Sequence, residues 1–266
     1  MTQYKAVFDE DKDTNLMFNS WLHEKIEEFL KTLENDLSQS SSLMDISSTL
    51  GQTMYFGLSF SRIGFDFRGL IAPIFLKVIQ RNLANSLLKV TKQFEIDIEN
   101  YTLINKDTPL LKRNTPKFNE EDEENNHPPE TLMDFQPLAI YCNGLLGIFN
   151  ELRICSPIAI VHSFVISLEA SLAAVAKNIL VFYRGEQQAF GVKEKENFLK
   201  FCSCFAYDLI PFLQNCINLI FPAVKVAAYL GINLPTLQKE ALTVLRSQKI
   251  LELIDHLLPD RIEAKH

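Results

Sequence analysis

Two cysteines one residue apart, in "FCSCF" from Phe201 to Phe205, are the first residues whose types could do chemistry. Thiolates bind zinc, but a structural zinc needs four ligands, usually with C-x2–4-C spacing and a histidine or second pair nearby. Cys202, Cys204 and Cys216 supply three thiols and no fourth ligand, so they read as core cysteines. "WLHEKIE", residues 21–27, holds His23 and Glu24 but has Glu27 where H-E-x-x-H needs its second histidine. It reads as a solvated helix face. His162, in "SPIAIVHSFVISLEASL", has no serine or cysteine paired to it by sequence and reads as a satisfied or partly exposed core histidine. The acid run Glu120–Glu124 lacks the alternating oxygen donors and the glycine of a calcium loop. "SFSRIGFDFRGL", residues 59–70, puts arginines beside glycines, yet Gly64 and Gly69 are not followed by the Lys-Ser/Thr of a phosphate loop. That stretch reads as a structural corner made by Gly64, Asp66, Phe67 and Arg68. Gly64 would close one helix and Asp66 open the next, while Phe60, Phe65 and Phe67 pin the two together. No catalytic, cofactor-binding or metal-binding residue is expected, and no cofactor.

The elements that position these residues follow from composition and periodicity. The chain has 266 residues, 47% hydrophobic and 22% charged, which is ordinary for a globular protein with a sizeable core. Nine glycines and eleven prolines are few for a many-stranded sheet protein, while twenty phenylalanines suit broad helix-packing faces. A formal charge of −7 excludes wrapping of nucleic acid, which needs a basic stripe to neutralise phosphates. The charge-free stretches, such as 154–168 and 209–224, fall short of a spanning helix and are interrupted by proline. Five cysteines (142, 155, 202, 204 and 216) in apolar stretches read as buried free thiols in a reducing compartment.

Helical periodicity predicts helices over 13–37, 43–62 and 66–101 in a first segment, 1–104. An acidic segment with four prolines, 105–130, reads as a disordered loop because its charge block repels itself and buries nothing. A C-terminal bundle, 131–258, is expected to hold helices over 135–154, 157–184, 194–221 (kinked or broken at Pro211), 222–230 and 235–257. Residues 259–266 form a tail. No alternating strand pattern is present, so the fold class is all-α, an elongated helical bundle or rod. The helices over 157–184 and 194–221 carry more apolar residues than one bundle face needs. Phe164, Phe182, Phe201, Phe205 and Phe212 are therefore either partner-interface residues or the centre of the bundle.

Several stretches in order, "TQYKAVF" (2–8), "MYFGLSFSRIGFDFRGLIAPIF" (54–75), "DFQPLA" (134–139) and "FNELRICSPIAI" (149–160), resemble the Dor1-like family of Golgi-tether subunits. So do "ILVFYRGEQQAF" (179–190) and "FLKFCSCFAYDLIPFLQNCINLIFP" (198–222). The resemblance covers residues 2–232 and fits the C-terminal portion of longer members; the stretch after Pro235 diverges. It implies a helical rod and a non-enzymatic subunit of the conserved oligomeric Golgi complex, peripheral on the cytosolic face of the Golgi membrane. It further implies a part in intra-Golgi retrograde transport and retention of glycosylation enzymes. The implied partners are subunit 1 and the lobe with subunits 5, 6 and 7, with SNAREs, small GTPases or coiled-coil tethers reached through the complex. The rival classes are a helical adaptor of another trafficking complex and a peripheral lipid-binding module, which would need basic clusters beside an amphipathic helix.

Overall fold

The computed structural model describes residues 12–40, 43–62, 64–103 and 127–258, and every regular element among them is helical. The acid run Glu120–Glu124, the rest of the loop before His127, Ser42 and the tail 259–266 lie outside the described residues. The chain divides into two compact units, Met1–Leu83 and Ala84–His266, with the division inside the third helix and not in the acidic segment.

The first unit contains α1 (Lys12–Gln39), α2 (Leu43–Ser61) and the part of α3 (Arg68–Glu99) up to Leu83. Phe18, Leu22, Ile26, Leu33 and Leu37 recur at multiples of a helical turn and are all buried. From α3, Ile71, Phe75, Val78 and Ile79 join that core. The last turn of α1 has no basic residue, and side chains from α3 bond the carbonyls at its end instead. Arg81 Nη2 donates to Ser38 O at 2.8 Å and Asn82 Nδ2 to Ser40 O at 3.0 Å. Lys77 adds an exposed ion pair to Glu34 at 2.7 Å.

The second unit runs from Ala84 through the rest of α3, a 3-10 turn (Glu130–Asp134), α4 (Gln136–Ile154), a 3-10 turn (Ile158–Ile160) and α5 (Val161–Glu186). Next come α6 (Val192–Ser203), a π-helical turn (Cys204–Leu209), α7 (Ile210–Ile220), α8 (Ala223–Leu230), α9 (Leu234–Lys239), α10 (Ser247–Leu251) and a 3-10 turn (Asp255–Leu257). Helix α5 is central, with Phe164, Leu168, Leu172, Val175, Ala176 and Ile179 buried along it. With the turn before it, this helix is long and apolar enough to cross a membrane by length and composition, which the charge-free stretches of the sequence alone did not indicate. Half of that stretch is buried inside the fold, and it carries Glu169 and Ser171 into polar contacts with Arg246 and Tyr141, as a core helix does.

Three hydroxyls tie α3, α4 and α5 together: Ser171 Oγ lies 2.6 Å from Thr91 Oγ1 and 2.7 Å from Tyr141 Oη. Burial pushes the Tyr141 phenol well above its usual range, so it stays protonated and can donate. Helices α3 and α4 also approach closely where Gly144 faces Val90. A Cβ on Gly144 would stand 2.8 Å from Val90 Cγ1. Gly144→Ala is therefore expected to lose about 1–2 kcal/mol, the overlap outweighing the better helix propensity of alanine. In a double-mutant cycle followed by urea unfolding, combining it with Val90→Ala should cost less than the sum of the two single changes.

Two expected helices differ from what forms. The 194–221 helix is interrupted before Pro211 by a π-helical turn, in which the Ile210 N–H donates to Phe205 O five residues back. Proline lacks an N–H and its ring clashes with the carbonyl four residues earlier, and widening the preceding turn relieves the clash. The 235–257 helix is three short pieces. It stops at Lys239, Ala241 takes φ 49°, and residues 243–246 are held by side chains of α5 and α7 instead of by helical bonds.

Candidate functional site

The corner from Ser59 to Leu70 is built from a left-handed glycine and a tight carboxylate turn. Gly64 has φ 84°, a conformation in which a Cβ would clash with the backbone, and its N–H bonds to Ser61 O at 3.0 Å. Asp66 lies two residues ahead of the first helical residue, Arg68, and so just outside the N-cap position expected of it. Its Oδ1 accepts from the Arg68 N–H at 3.1 Å, and its Oδ2 from Arg68 Nη2 at 2.6 Å. The bonds from the Arg68 guanidinium, and then from its backbone N–H, hold the Asp66 carboxyl down at about 2. Phe67 is buried in a ring cluster with Phe29, Phe56 and Phe60, at centroid distances of 4.9–6.0 Å. Phe65 points away from that cluster, edge-on to His23 at 5.7 Å.

A carboxylate whose folded pKa is depressed stabilises the fold above its unfolded pKa, and that contribution disappears as pH falls through the folded value. Asp66→Ala is thus expected to lower the thermal midpoint modestly at neutral pH. The gap to the parent chain should close as pH drops from about 3.8 toward about 2, measured by circular dichroism.

The other residues considered from sequence find ordinary environments. His162 is exposed, and Glu27 and Lys31 form a surface ion pair at 2.7 Å. None of the five cysteines is in a disulfide, and among the described residues no group of histidine, cysteine and carboxylate is placed to hold a metal. Burial pushes the Cys202 thiol up to about 12 and those of Cys204 and Cys216 up to about 11, so all three are protonated at neutral pH. Of the apolar residues proposed for a partner interface, Phe164, Phe201, Phe205 and Phe212 are buried in the second unit; only Phe182 is half-exposed. Four of the five therefore form the bundle centre and cannot meet a partner without unfolding.

A groove that sequence reasoning missed lies between the π-helical turn and the C-terminal segment, with a volume of about 660 Å³. Ala206, Ile210 and Pro211 line one side, and Leu245, Glu252 and Asp255 the other. Val244 and Leu245 of its lining belong to the run 243–246, which side chains hold in place. Gln214 Nε2 donates to Thr243 O at 2.9 Å, and Gln214 Oε1 accepts from Leu245 N at 2.7 Å. Glu169 accepts from Arg246 N at 2.8 Å and from Arg246 Nη2 at 2.7 Å. The lining is apolar with neutral polar groups and two carboxylates, Glu252 and Asp255. Pro211 was the one sequence signal pointing here, through the break it forces in the helix.

Similarity to known proteins decides the assignment. The Dor1-like family model matches residues 1–92. Conserved oligomeric Golgi complex subunit 8 of Drosophila melanogaster is 44% identical over 98% of this chain and 48% of its own length. The chain belongs to the Dor1-like family. Other relatives of the same name agree with this Dor1-like assignment. The Mus musculus protein is 37% identical over 98% of this chain and 43% of its own length, and the Homo sapiens protein 38% over 87% and 40%. The chain spans about half the length of these curated relatives. No solved structure is similar to it. The Dor1-like match takes in the whole corner, so the ring cluster and the Asp66–Arg68 turn lie in the part that carries the family signature.

Proposed function

We propose that this chain acts as a non-enzymatic subunit of a Golgi vesicle-tethering complex, working through protein–protein contacts. The observation that carries the reading is the near-complete coverage of the chain by relatives named as subunit 8 of the conserved oligomeric Golgi complex. An all-helical fold whose titratable residues are structural or solvated is consistent with it. The chain works in intra-Golgi retrograde transport, and so in Golgi organisation and in keeping glycosylation enzymes in place. Its partners are other subunits of the same complex: subunit 1 and the lobe of subunits 5, 6 and 7. SNAREs, small GTPases and coiled-coil tethers are met through the complex, which sits peripherally on the cytosolic face of the Golgi membrane. Affinity capture of the tagged chain from cell lysate, followed by mass spectrometry, is expected to recover the other subunits in stoichiometric amount. Recovery of none of them, with the chain folded by circular dichroism, would overturn the reading.

A further inference from the structure

The groove between the π-helical turn and the C-terminal segment lies within the second unit, and its lining offers three kinds of group. Ile210, Pro211 and Leu251 supply apolar surface, and a volume of about 660 Å³ is that of a ligand cleft. Val244, also in the lining, supplies main chain. It is 39% exposed, and neither its N–H nor its C=O makes a hydrogen bond among the described residues. Its neighbours differ: Thr243 O and the Leu245 N–H are taken by Gln214, and the Arg246 N–H by Glu169. One main-chain donor and one acceptor are thus unused between residues that are held in place.

The third kind is negative charge, and it is divided from the positive charge of the same segment. Arg246 is bonded to Glu169 on α5, and Lys249 is near enough to act on that carboxylate. Neither cation is in the groove's lining, where the charged residues are Glu252 and Asp255. Both are exposed, and neither is in an ion pair among the described residues.

Together these groups select the occupant. Apolar surface alone would suit any apolar group. Two unpaired carboxylates beside it call for positive charge, and the unused main-chain pair suits a peptide backbone. We propose that the groove docks a peptide segment of a partner protein, one that carries leucine-like side chains next to lysine or arginine. The apolar side chains seat against Ile210, Pro211 and Leu251, the peptide main chain pairs with Val244, and the cations meet Glu252 and Asp255.

The test uses the 266-residue chain alone, so its outcome is separate from that of the proposed tethering role. The probe is a fluorescent peptide of alternating leucine and lysine, titrated with the chain and read by anisotropy. Saturable binding is expected, about tenfold or more tighter than that of a leucine–glutamate or a lysine–serine peptide. Glu252→Lys combined with Asp255→Lys, at two exposed positions, should weaken it by about tenfold or more and leave the helical spectrum unchanged. Two controls locate the site. Replacing the acid run Glu120–Glu124 by neutral amides removes the other place where lysine is attracted, and should leave the affinity unchanged. So should Glu186→Lys combined with Glu196→Lys, which changes the net charge as the groove variant does. Absence of binding, equal binding of the lysine–serine peptide, or a loss in either control as large as in the groove variant overturns the proposal.

Discussion

Phe201→Ala is expected to lower the stability of the second unit by about 3–5 kcal/mol, the usual cost of emptying a large buried aromatic site. Phe201 is 1% exposed. Its ring stacks on Phe198 at an interplanar angle of 11°, stands edge-on to Phe135 at 5.3 Å, and lies 6.0 Å from Tyr101. Truncation removes ring contacts to three separate segments at once, and the close-packed surroundings cannot collapse to fill the space. Urea unfolding at neutral pH measures the loss, and a thermal midpoint lowered by about 6 °C or more is its counterpart. Phe182→Ala provides the contrast. That side chain is half-exposed, so the change should cost about half as much or less. Equal losses at the two positions would mean that Phe201 is not in the core.

Glu169→Ala is expected to cost about 1–3 kcal/mol, because the carboxylate is the acceptor that holds Arg246, and with it the wall of the groove, against α5. The figure is below that for a fully buried pair because the Arg246 side chain is 49% exposed and water screens it. The pH dependence has a definite sign. Burial acts to raise the Glu169 pKa, but the bonds from the Arg246 side chain and backbone outweigh it and hold the group below its ordinary 4.5. The stabilisation is therefore complete above the unfolded pKa and lost as pH falls through the depressed folded value. The gap between parent and Glu169→Ala should shrink on acidification below about 4.5. Arg246→Met removes the guanidinium bonds, while the backbone N–H of residue 246 and Lys249 still act on the carboxylate. This variant should therefore lose less on acidification and gain stability relative to the parent as pH falls. Denaturant midpoints of the three proteins from pH 7 down to about pH 3 separate these outcomes.

Helices with a strong one-sided pattern were legible from sequence. The apolar series from Leu22 to Leu37 marks α1, and the left-handed glycine at position 64 closes the corner because no other residue adopts that backbone at low cost. The π-helical turn was half legible. Pro211 announced a break, but the break falls one turn earlier because proline's clash is with the carbonyl four residues before it. The 234–257 region was the least legible. Its leucines keep helical spacing, and a helix would form if only local propensity counted.

What the sequence by itself determined is the class of the fold and the membership of a family, because periodicity and ordered motifs are properties of nearby residues. What the tertiary structure decided is which apolar surface is inside and where the groove lies. Phe201 and Phe205 have the same side chain whether they face a partner or the core, and only the helices packed around them make them core. The break after Lys239 was likewise decided at a distance. Glu169 and Gln214, on α5 and α7, take up the backbone polar groups of residues 243–246 that a local helix would otherwise have satisfied, and bonds between positions 29 to 77 apart leave no local pattern to read.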